Sequence, residues 1–282
     1  MVSRGPGSGT TRSPLALFGA GAILAVVIAI AITVTAVRDN DSRGDEVSMT
    51  ATASESAPGS AAPGSAGFVG SELDSFGHRF DIPSSPAGQA LPQSPSQLKA
   101  VHPEWLTAAP GGTNQQGGWQ RVYGGPVIPF STTDGPDRIV NDVPVGFGRT
   151  PRGAALAAEQ IYWRTAARPT DRALWQQLVI LTPEEIAERD RNITEGRVPT
   201  ELPEKIKPLL FASDAFRIES YGEDSAVVRI ARKTRDFLHG GRSWVAMRLN
   251  VVWRDGGWKL KSSASDAQPL ETIDSIDGWT KW

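Results

Sequence analysis

The chain has 282 residues and a formal net charge of −2, with 22 Arg against 7 Lys. It contains no Cys, which excludes a disulfide framework, a thiolate metal site and a Cys nucleophile. Residues 101–282 carry 23 basic and 23 acidic side chains, a neutral balance unlike the strongly basic surface of a dedicated duplex-binding domain, so nucleic acid is not expected as a main partner.

Residues 1–14 precede an uncharged run at 15–37, LALFGAGAILAVVIAIAITVTAV. At about 1.5 Å per residue this run covers the roughly 30 Å hydrocarbon core of a bilayer, so it reads as one transmembrane helix and makes the lipid bilayer the first expected partner. Arg4 and Arg12 lie before it and Arg38 and Arg43 soon after, a near tie for the positive-inside rule. The free amine and the short N-terminus place 1–14 in the cytoplasm and the rest of the chain outside the cell membrane. A cleaved signal peptide ending at Val34-Thr35-Ala36 is the competing reading, but an h-region usually has only about 7 to 15 residues.

Residues 38–100 are rich in Ser, Ala, Pro and Gly, with SAPGSAAPGSAG at 56–67 and SSPAGQALPQSPSQ at 84–97. Such composition buries too little apolar surface to offset ordering entropy, which predicts a disordered linker. Phe68, Phe76 and Phe80 interrupt its polarity, either as an incidental cluster or as a short docking motif.

All nine Trp and all three Tyr lie at or beyond Trp105, which places the folded domain at 101–282. Turn signals around WQRVY and VIPF predict short strands or extended loops up to Gly148. Thr150 as N-cap and Pro151 at the first helical position then open a helix, GAALAAEQIYWRTAA, in which Ala155, Ala158, Ile161 and Tyr162 share a face. A second short helix follows Asp171, and the capping box Thr182-Pro183-Glu184-Glu185 opens a third. After Phe211 the period changes to two. Strands are predicted at 216–221, 225–233, 243–253 and 258–262, with Val245, Met247, Leu249, Val251 and Trp253 on one face of the longest. Helices followed by a meander define an α+β domain whose helices pack on a curved, cone-like antiparallel sheet.

Two resemblances follow from these residues. The helix order and the closing strands ending in NVVWRDGGWKL resemble the cone-shaped fold of nuclear transport factor 2, membrane-tethered versions of which serve as assembly subunits in type IV secretion and conjugation. GGWQRVYGGPVIPFSTTDGP followed by VGFGRTPRGAALAAEQIYWR resembles a group of uncharacterised actinobacterial single-pass proteins, which brings no assigned activity.

No catalytic constellation is legible. His78, His102 and His239 have no metal-ligand spacing, and Gly146 to Gly153 lacks the ending of a phosphate loop. Tyr162, Tyr221 and Asp214 are candidates to line a cone interior only by analogy with enzymes of that fold. No catalytic, metal or cofactor-binding residue is therefore assigned and no cofactor expected. One stretch, 229–254, carries seven basic residues and a single acid, Asp236. Arg229, Lys233, Arg235, Arg248 and Arg254 are the candidate interaction face for an acidic partner, the alternative being a solvated face balanced by acids from elsewhere. The expected role is a non-enzymatic scaffold or assembly subunit of an envelope machine with envelope proteins or a second copy as partners. The alternative is a small-ligand or lipid-binding module with a cone-shaped pocket.

Overall fold

The computed structural model describes residues 67–94, 98–261 and 270–282. The predicted transmembrane run at 15–37 lies outside them, and among the described residues no helix is long and apolar enough to cross a membrane.

Two sheets enclose one helix. The first sheet has four strands in the order β1 (Phe68–Leu73), β2 (Arg79–Pro83), β3 (Trp119–Arg121) and β4 (Val127–Pro129). Its second and third strands are parallel and its outer pairs antiparallel. A small hairpin of β5 (Arg138–Val140) and β6 (Val143–Val145) turns at Asn141 and Asp142, both at positive φ, the backbone of a two-residue turn that suits Asn and Asp.

Helix α1 (Pro151–Ala167) follows, capped by the Thr150 side chain, which accepts the Gly153 N–H. All 17 of its residues are buried. The sequence marked one apolar face, but the helix is covered on several sides, by β4 of the first sheet and by β8 to β11 of the second. Six alanines make that possible, since a small side chain lets a neighbouring sheet approach closely. Gly153 serves the same end: a Cβ there would overlap the Gly148 carbonyl oxygen, so close packing explains a glycine in the first turn of the helix.

Helix α2 (Arg172–Leu178), capped by Asp171, and helix α3 (Pro183–Thr194), with the Thr182–Glu185 capping box formed, stand where their caps predicted them. The second sheet runs β13 (Thr280–Lys281), β8 (Ala215–Tyr221), β9 (Ser225–Lys233), β10 (Trp244–Arg254), β11 (Gly257–Lys261) and β7 (Val179–Ile180), with β12 (Glu271–Ile273) also paired to β10. The β10–β11 turn at Asp255-Gly256 has φ of 54° and 78°. Val228, Ile230, Val245, Leu249 and Val251 point inward as their alternation required and meet α1 in the main core with Trp163, Trp175 and Trp258.

One boundary needs correction. Residues 67–94, read as part of a disordered linker at 38–100, instead supply β1, β2 and a segment that packs on α1. The physical reason is that a few side chains carry the burial. Phe80 is 1% exposed, Ala87 is fully buried and Leu91 joins the main core. Fully burying such a side chain contributes about 1.5–3 kcal/mol, and average composition conceals it. Phe76 and Phe80 are thus packing residues: Phe76 meets Phe211 edge-on at 4.7 Å, and the Arg121 guanidinium lies 4.2 Å over Phe80.

Candidate functional site

Three places in the domain concentrate polar chemistry: the arginine face, the surroundings of α1, and a cleft between the sheets.

On the arginine face, β-pairing sets Arg217, Arg229 and Arg248 side by side on β8, β9 and β10. Acids from other strands meet them. Glu219 pairs with Arg248 at 2.7 Å and with Arg229 at 3.7 Å, and Glu271 of β12 pairs with Arg229. The C-terminal residues pass from the β10 edge as β12 to the β8 edge as β13, and Trp279 stacks with Arg217 and Arg229 at 5.0 and 5.4 Å. Lys233 is paired with Asp214 at 2.9 Å. Arg235 lies in the 3-10 turn Arg235–His239, and exposed Arg254 sits at the opposite end of the sheet. The five residues are therefore spread along the sheet, and the central ones are engaged within the chain. The Arg248–Glu219 pair is partly solvated, and pairs near a surface contribute little stability each, about 0–1 kcal/mol.

Around α1 the polar groups are buried. Glu159 is fully buried and paired with Arg232, which points inward from β9, is 7% exposed, donates to the Phe211 carbonyl and stacks on Trp163 at 4.3 Å. Ser213 donates to Glu159 at 3.0 Å. Burial pushes the Glu159 carboxyl up, opposed by the Arg232 charge. At the helix start, Asp134 accepts from Thr150 at 2.8 Å and from Arg152 Nε at 3.0 Å. Near its end, Arg164 donates to Gln160 and to the Ala87 carbonyl. Arg232 is in phase with Val228 and Ile230 on β9, and this inward register separates it from the basic residues of the candidate face.

The residues proposed for a cone interior do not converge. Tyr162 is buried beside Trp163 and burial pushes its phenol upward, Tyr221 lies edge-on to Trp105, and Asp214 belongs to the cleft. His78 pairs with Asp74 at 3.3 Å, His102 Nδ1 accepts the Glu104 N–H, and His239 is exposed. Among the described residues no three His, Asp or Glu side chains are grouped to hold a metal ion.

The cleft has a volume of about 620 Å³ and lies between the first sheet and the β8–β9–β10 edge of the second. Trp119, Trp244 and Trp282 line it, as do Asp81, Asp214 and Lys233. The rings of Trp119 and Trp282 stand at 87° with centroids 6.2 Å apart. No sequence signal announced it, because its walls come from positions as far apart as 77 and 282.

Fold and site together define an α+β domain in which two sheets bury a polar-studded helix and leave an aromatic cleft at their junction. The chain belongs to the family described as Domain of unknown function (DUF8175), whose model matches residues 81–281. The match begins within β2 and so includes part of the stretch that the sequence suggested was linker, though not β1. No curated protein and no solved structure matches the chain.

Proposed function

We propose that the chain is a non-enzymatic scaffold or assembly subunit of an envelope machine, its domain held outside the cell by a membrane helix at 15–37. Conjugation and secretion are the settings to which the resemblance to membrane-tethered, cone-shaped domains points, and an actinobacterial source fits the second resemblance. The partners are envelope proteins or further copies of the chain.

The observation that carries this reading is the filling of the interior. Trp163, Trp175 and Trp258 occupy the space beneath the second sheet at 0–2% exposure. The acids there, Glu159 and Asp134, are committed to Arg232 and Arg152. An enclosed lipid or small-molecule site of the kind a cone can hold would need that volume, so the packing favours contact through the surface.

Crosslinking in intact cells followed by purification from detergent-solubilised membranes tests the proposal. Recovery of the chain with a reproducible envelope protein, or as a defined homo-oligomer, is expected; a lone monomer overturns it. Protease added to spheroplasts should reach the domain from outside, and its protection would overturn the topology.

A further inference from the structure

The cleft between the sheets has a chemistry that the scaffold reading does not use. Trp119 and Trp282 are half-buried and meet edge to face, and Trp282 packs on Phe216 with centroids 4.5 Å apart. The indole N–H groups of Trp244 and Trp282 are buried and have no acceptor among the described residues. The same holds for the core tryptophans Trp163 and Trp175, so these inaccessible donors do not themselves mark a ligand. Asn114 and Gln115 stand exposed on the rim, and neither amide side chain has a partner among the described residues.

Two of the cations that line the cleft are paired, while Lys281 stands exposed at its edge without an ion pair among the described residues. Lys233 is held by Asp214 at 2.9 Å and Arg79 by Asp81 at 2.8 Å. A phosphate-binding site would gather several uncommitted cations where this lining offers Lys281, and a lipid site would present a largely apolar wall. Here flat aromatic rings alternate with amides and carboxylates that together donate and accept. A pyranose ring has the matching surface, with C–H groups on its faces and hydroxyls around its rim that each donate and accept. The volume falls within the range of small-molecule sites, roughly 300–1,000 Å³. We propose that this cleft is a glycan-binding site that holds a segment of a polysaccharide chain, which would fix the domain to an envelope polymer as well as to protein partners.

The test uses the full chain in detergent, with two probes: insoluble cell-wall glycan stripped of protein, assayed by co-sedimentation, and a soluble tetramer of N-acetylglucosamine, assayed by calorimetry. A glucose tetramer reports discrimination among sugars. The expected result is retention by the wall glycan and saturable binding of at least one tetramer. Trp119→Ala should weaken binding at least 10-fold, in keeping with the weight of buried aromatics at binding sites. The double change Asn114→Ala with Gln115→Ala, at exposed positions that leave packing intact, should weaken it several-fold with an unchanged melting temperature. Arg254→Ala, at the far end of the sheet, should change nothing. Absence of binding by folded wild-type protein to all three glycans overturns the proposal, as does binding that the rim double variant leaves unaltered. Either result leaves the crosslinking test of the scaffold reading untouched, so the two can fail separately.

Discussion

Removing Glu159 should cost more stability than any single surface change in the domain. Glu159→Ala leaves the Arg232 guanidinium on the inner face of the second sheet, 7% exposed, with only the Phe211 carbonyl and the Trp163 ring for company. Breaking a buried pair by deleting one partner costs about 3–5 kcal/mol, because the remaining charge is uncompensated. With an urea m-value of roughly 2 kcal/mol/M, the midpoint should fall by about 2 M. Replacing both partners, Glu159→Leu with Arg232→Met, removes the charges together. The Phe211 carbonyl then loses its donor, at about 1–3 kcal/mol, and the end point should lie well above that of the single variant. Urea unfolding followed by near-ultraviolet circular dichroism on the full chain measures both. A loss below about 1 kcal/mol for Glu159→Ala, or a double variant as unstable as the single one, would refute the account of this pair as a coupled unit.

Three further expectations can be checked on the same protein. A chain starting at Val101 loses Phe80 and the Ala87 carbonyl that Arg164 uses, so it should show no cooperative melting, while one starting at Gly67 should melt as the full chain does. Thr150→Ala removes both the α1 cap and a hydrogen bond to Asp134, a loss of about 1–2 kcal/mol in urea unfolding. Because burial raises the Glu159 pKa in the folded state, its contribution to stability is fully present below the unfolded value near 4.5 and is lost as pH rises through the folded value. The difference in urea midpoint between wild type and Glu159→Gln should shift across that window, and a flat difference would contradict the burial-driven shift.

Much of the fold was legible because its signals are local. The caps at Thr150, Asp171 and Thr182 marked three helix starts, and period-two alternation marked β8 to β11 within a residue or two. What escaped depended on distant partners. β1 and β2 lie in Ser- and Gly-rich sequence, and their reason to order is Phe80 against a core made mostly from residues beyond 120. The basic residues of 229–254 were legible as a run of cations, but Glu219 and Glu271, which answer Arg229 and Arg248, arrive from other strands by sheet pairing. Arg232 differs from its basic neighbours only in register, and the cleft exists only where two sheets meet.

The placement of β1 has a mechanical side. It is the first described strand, among the described residues it pairs with β2 alone, and most of its side chains are exposed. Tension applied to the chain upstream of Gly67 therefore loads the Phe68–Pro83 end of that pair and opens it one hydrogen bond at a time, a weaker geometry than shearing strands along their length. Peeling the six residues of β1 releases roughly 20 Å of chain at about 3.3 Å per residue. The Phe80 anchor in β2 and the α1 core stay in place. The domain thus carries a built-in length reserve at its entry point, which yields before the packed interior does.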